Sequence, residues 1–108
     1  MATRIWNGGH ASSNDWSQAD NWGVTGVPAS GDDIQFGGTT RLSPNNNIAA
    51  DTSFNSITFN SGAGAFTIGG NRITLGGQIT NNDDSTQTIS LAMILDATRT
   101  IACTSGPI

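Results

Sequence analysis

Four short segments share one alternation of apolar and polar positions: Ile34–Gln35–Phe36, Ile57–Thr58–Phe59, Ile79–Thr80–Asn81 and Ile101–Ala102–Cys103. Their leading isoleucines are 23, 22 and 22 residues apart. Two further series run between them: Phe66/Ile68 is followed by Ile89/Leu91, and Ile73/Leu75 by Ile94/Leu95, at 20 to 23 residues. Period-two alternation buries one side of a strand and wets the other. Three interleaved series with one period predict three stacks of short strands, the faces of a short right-handed parallel β-solenoid of about three coils. The predicted core is Ile34, Phe36, Ile57, Phe59, Phe66, Ile68, Ile73, Leu75, Ile79, Ile89, Leu91 and Ile101. The competing all-β fold is a small antiparallel jelly-roll sandwich, which also uses many short strands separated by turns. A sandwich, however, has no reason to repeat a triplet every 22 residues.

The strands end on turn formers: Gly37–Gly38, Gly69–Gly70–Asn71, Gly76–Gly77 and Asn81–Asn82–Asp83–Asp84. Glycine adopts positive φ without steric cost, and Asn tolerates it better than most residues. Asn60 and Asn81 fall at similar corners, which predicts a stacked amide ladder. Residues 1–33 differ in texture, holding Trp6, Trp16, Trp22 and the single histidine. They read as a tryptophan-rich N-terminal cap over the coils of residues 34–108, the two forming one structural domain. The end of a solenoid exposes its apolar interior, and large rings cover such a surface efficiently.

Composition sharpens this picture. The chain has no Lys, Glu or Tyr, against 14 Gly, 14 Thr, 11 Ser and 11 Asn in 108 residues. It thus withholds most of the good helix formers and supplies the residues of strands and tight turns. Net charge is −4, and the four arginines are scattered. Phosphate binding needs clustered basic residues, so nucleic acid is not an expected partner. Polybasic membrane contact fails on the same ground, and no apolar run reaches membrane-spanning length, so no membrane insertion is expected. No hydrophobic stretch follows Met1–Arg4, so no signal peptide is read in this chain. Cys103 is the only cysteine, which rules out an internal disulfide; it reads as a small buried apolar residue.

Candidate chemistry is sparse, and no residue is assigned a catalytic role. Trp6, Trp16 and Trp22 are candidates for stacking on sugar rings, with plugging of the first coil as the competing role. Asp32, Asp33, Asp83 and Asp84 sit beside Gly or Asn and are candidate ligands for a weakly held calcium ion, the one cofactor considered. They match neither an EF-hand loop nor a calcium-binding nonapeptide. A glycoside-cleaving pair would draw on Asp32, Asp33 and Asp51. His10 reads as a loop residue, with no Gly-x-Ser-x-Gly elbow in the chain. One His and one Cys 93 residues apart make no zinc site by themselves.

The opening Trp6–Asn7–Gly8–Gly9, Asn14–Asp15–Trp16–Ser17, Ala19–Asp20–Asn21–Trp22, Val27–Pro28 and Gly31–Asp32–Asp33–Ile34–Gln35–Phe36 resembles the start of autotransporter-associated β-strand repeat regions of bacterial surface proteins. Asn55–Phe59, Gly62–Phe66 and Ile73–Gly77 continue the likeness, which runs from Trp6 to about Ile101. The resemblance implies an exported parallel β-helix serving as a passenger stalk or adhesive surface, and it carries no catalytic set. The expected function is therefore a non-enzymatic structural or adhesive segment of a bacterial cell-surface or secreted protein. The alternatives are a carbohydrate-binding module built on the tryptophans and a small polysaccharide-acting hydrolase. Passenger regions usually run much longer, so the last coil is expected to be open and to self-associate. A host or matrix glycan is the other expected partner.

Overall fold

Alternation over three or four residues is enough to make a strand only when a neighbouring strand supplies its hydrogen bonds, and stacked coils supply one. The structure is a computed structural model that describes residues 2–108. Among these, eleven short strands follow one another: β1 (Thr3–Trp6), β2 (Asp33–Phe36), β3 (Asn45–Asn46), β4 (Ser53–Phe54), β5 (Ile57–Phe59), β6 (Thr67–Gly70), β7 (Ile73–Leu75), β8 (Ile79–Asn81), β9 (Thr88–Ile89), β10 (Met93–Leu95) and β11 (Ile101–Cys103). Only two single-turn 3-10 segments, Ala19–Asn21 and Gly23–Thr25, interrupt the strands, and no α-helix occurs among the described residues.

The strands form three parallel sheets, in the orders β1-β2-β5-β8-β11, β3-β6-β9 and β4-β7-β10. The chain visits the sheets in rotation and makes a β-solenoid of about three turns. Every pairing is parallel, which excludes the sandwich. In the first sheet Ile34, Ile57, Ile79 and Ile101 stand in one register column, as their spacing predicts. The third sheet differs in detail from expectation: Ile73 faces Met93 and Leu75 faces Leu95, so Met93 takes the inward place assigned to Ile94. A corner shorter by one residue produces this shift, and a one-residue shift exchanges the two faces of a strand.

Corner geometry accounts for one of the glycines directly. Gly70 has φ of 107°, and a Cβ there would stand 2.3 Å from the Asn46 carbonyl oxygen of the turn below. Only glycine permits both that dihedral and that approach.

The tryptophan-rich segment is itself wound onto the coil. β1 pairs with β2, Asp15 bridges Asn45 beside β3, and the Gly31 amide donates to the Ser53 carbonyl of β4 at 2.8 Å. All three indoles lie fully inside. Trp22 meets Trp6 and Trp16 edge-on, with centroids 5.2 and 5.8 Å away. Phe36 touches all three indoles and stacks on Phe59 at 5.5 Å and 23°. The aromatic column thus runs from the cap into the second turn.

Two indole nitrogens find acceptors and one does not. Trp6 Nε1 donates to the Arg41 carbonyl and Trp22 Nε1 to the Trp16 carbonyl at 2.7 Å, while Trp16 Nε1 is buried without a partner. An unmade buried bond carries a desolvation penalty of about 1–3 kcal/mol. Replacing Trp16 by Phe relieves that penalty and is expected to change stability by less than about 1 kcal/mol. Trp22→Phe strands a buried carbonyl and is expected to cost about 2–3 kcal/mol. Denaturant midpoints of the two variants decide it; equal losses would mean that Trp16 Nε1 is satisfied in solution.

Two predicted core positions fall outside the core. Ile89 is half-buried and Ile101 is 59% exposed, because both belong to the last turn and nothing is stacked on them. Cys103, expected inside, is exposed for the same reason: it faces the interior side of the last coil described. Phe54 and Ala63, which the alternation does not single out, complete the core.

Candidate functional site

Asp32, Asp33, Asp51 and Asp83 are each committed to bonds within the coil. Asp32, just before β2, is buried; it accepts from the Ala2 amide at 2.9 Å, the Ala29 amide at 2.9 Å and Arg4 Nε at 2.8 Å. Burial acts to raise its carboxyl, but these three donors outweigh burial and hold it at about 2, below the ordinary 3.8. Asp33 Oδ1 accepts from Asn55 Nδ2 and Ser56 Oγ, both at 2.7 Å. These bonds tie the corner of one turn to the corner of the next. Asp83 accepts from the Ser85 amide at 2.8 Å and the Gly62 amide at 2.9 Å, and the Ser85 contact holds its carboxyl below the usual range. Asp84 is exposed. Asp51 forms a bidentate pair with Arg72 at 2.6 and 3.0 Å, which lowers its carboxyl. A cation at Asp32, Asp33 or Asp83 would have to displace donors already in place. No group of three His, Cys or Asp side chains able to hold a metal occurs among the described residues.

The Asp32 network makes a defined claim about acid. A carboxyl whose folded value lies below its unfolded value stabilises the fold above about pH 4 and loses that contribution as pH falls toward 2. The loss is expected to be on the order of 1–2 kcal/mol. Asp32→Asn removes it at neutral pH as well and flattens the stability profile below pH 4. Urea midpoints across that range test this; an equally steep profile in the variant would place the acid sensitivity on other carboxylates.

The remaining candidates are dispersed. Trp6, Trp16 and Trp22 present no ring face to solvent, since all three are enclosed between the cap and the first turn. His10 Nδ1 accepts from the amides of Ser12 and Ser13 at 3.1 and 2.9 Å, and its own carbonyl accepts from Arg41 Nε. The ring therefore organises its loop. Asn60 and Asn81 do not form a ladder. Asn60 Nδ2 donates to Gln35 Oε1, whereas Asn81 points inward opposite Phe59.

That substitution marks the feature the alternation did not disclose. One turn on, Asn81 occupies the inward place held by Phe59, and Gln87 the place held by Phe66. Asn81 Nδ2 donates to the Ser85 and Pro107 carbonyls at 2.9 and 3.0 Å. Gln87 Oε1 accepts from the Phe66 amide, and its Nε2 donates to the Gly64 carbonyl. Amides thus pin backbone where rings filled volume. Beside them lies an apolar hollow of about 370 Å³ walled by Ile79, Gln87, Ile89, Met93, Ile101 and Ile108. A notch of about 150 Å³ continues it past Leu75, Leu95 and Arg99.

No helix among the described residues is long and apolar enough to cross a membrane. No protein-family model, curated protein or solved structure matches the chain.

Proposed function

We propose that this chain is a structural or adhesive β-solenoid segment of a bacterial cell-surface or secreted protein, without catalytic activity of its own. The observation that carries this reading is the continuity of the three sheets, which hold successive turns in register over one core. Such a body displays fixed outer faces. On the widest sheet the outward column is Ile5, Gln35, Thr58, Thr80 and Ala102, with Asn60 and Asn82 beside it. A column that is uncharged and polar in its middle, between Ile5 and Ala102, on a rigid backbone suits multivalent weak contact with a glycan or a matrix protein. The resemblance to autotransporter-associated repeats and the absence of lysine support the same placement.

The test is a binding screen of the purified domain against polysaccharides and matrix proteins. Binding is expected to be weakened by Thr58→Arg and Thr80→Arg, which alter the outer face and leave the core intact, and to persist in Trp16→Phe. Release of reducing ends from a polysaccharide, abolished by Asp33→Asn, would overturn the non-enzymatic reading.

A further inference from the structure

The turn that follows β1 carries a chemically labile pair. Of the 11 asparagines in the chain, Asn7 is the one followed by glycine. In such a pair the glycine nitrogen can attack the asparagine Cγ, because glycine has no side chain to stand in the way. The new N–Cγ bond closes a five-membered succinimide, the Cγ–Nδ2 bond breaks, and ammonia leaves with the glycine amide proton. Water then opens the ring at either carbonyl. One product is aspartate. The other is isoaspartate, in which the main chain runs through Cβ and Cγ and is one carbon longer.

The fold restrains every group in that step. The Gly8 amide donates to the Asn21 carbonyl at 3.2 Å, and the Asn7 amide donates to the same oxygen at 2.8 Å. The attacking nitrogen must first give up its proton, and that proton is engaged. Asn7 Oδ1 accepts from the Gly9 amide at 2.9 Å, which fixes the carboxamide. The carboxamide nitrogen lies against Gly23, where an added Cβ would stand 2.8 Å from Nδ2. Gly8 has φ of 66°, and a Cβ on it would meet the Thr40 carbonyl oxygen at 2.4 Å. The backbone has little room there to turn toward Cγ. Asn7 is exposed, so water reaches any succinimide that forms.

These contacts also tie the end of β1 to the Ala19–Asn21 segment. Trp6 and Trp22 adjoin the two bonded residues, and their indoles meet edge-on at 5.2 Å. A main chain one carbon longer between positions 7 and 8 cannot bring both amides to one carbonyl oxygen and keep Gly8 against Thr40. An aspartate at position 7 can, since its carboxylate still accepts from the Gly9 amide. We propose that Asn7–Gly8 is a site of spontaneous covalent modification guarded by the closed cap. It is inert while the cap is closed and converts when the cap opens, and the isoaspartyl product cannot close again. Brief openings leave no trace, whereas prolonged ones are recorded in the covalent chain.

Peptide mapping by mass spectrometry tests this by following amide-to-acid conversion at Asn7 at neutral pH, in buffer and through a urea series. Conversion in buffer is expected to be at least about tenfold slower than in urea that unfolds the chain, and to rise in step with the red shift of indole emission. The isoaspartyl chain, separated and returned to buffer, is expected to keep a red-shifted emission. Asn7→Asp, expressed directly, is expected to show the emission of the unmodified protein. Equal conversion rates in buffer and urea, an isoaspartyl chain that regains the native emission, or an Asn7→Asp emission as red as that of the isoaspartyl chain would each overturn the proposal.

Discussion

Replacing Ile57 by aspartate leaves the domain unfolded at 25 °C. Ile57 is fully enclosed in the middle of the widest sheet, with Ile34 and Ile79 beside it in the column. None of the ion pairs among the described residues reaches this place; they join Arg4 to Asp32, Arg72 to Asp51 and Arg99 to Asp96. The introduced carboxyl must be buried unpaired or take up a proton, and the apolar contacts are lost in either case. The combined penalty exceeds about 5 kcal/mol, comparable with the whole stability of a domain this size. Because each turn buries its apolar side only against its neighbours, the loss spreads along the coil. Thr58→Asp, one residue on but facing outward, is expected to shift stability by less than about 0.5 kcal/mol. Circular dichroism and denaturant unfolding of the pair check the register; an Ile57→Asp protein with a retained cooperative transition would show that it is wrong.

Phe36→Ala is expected to cost about 3–5 kcal/mol. The ring stands 5.5–6.2 Å from the centroids of Trp6, Trp16, Trp22, Phe59 and Phe66, so its removal opens a cavity bounded by rings that cannot collapse together. Among the described residues it also severs the only aromatic link between the tryptophan cluster and the Phe59–Phe66 pair of the next turn. The cap is then expected to loosen before the coils, with indole emission moving to the red at denaturant concentrations that leave the β signal unchanged. Phe54, whose ring touches Trp16 alone among the tryptophans, is expected to lose less when cut to alanine, about 2–4 kcal/mol, with one cooperative transition. Coincident fluorescence and dichroism curves in Phe36→Ala would show that the cap does not depend on this ring.

The alternation and spacing of Ile34, Ile57, Ile79 and Ile101 determine by themselves that the chain coils, and the glycines and asparagines determine where it turns. These are local signals: each strand needs only its own inward residues and a stop. The sequence left the three tryptophans between plugging the first coil and stacking on sugar rings, and the structure buries all three. The tertiary structure alone decided the rest. The place of Met93 over Ile73 depends on how many residues each corner consumes, and no single strand encodes that count. The carboxylates of Asp32 and Asp33 read as ligands in isolation, but the structure brings Arg4 and Asn55, 28 and 22 residues away, onto them as hydrogen-bond donors. The same applies at the end of the coil. Ile101 and Cys103 carry the inward pattern of every strand before them, yet they are exposed. Whether an apolar residue is buried depends on what is stacked above it, and the pattern within a strand holds no information about its neighbour.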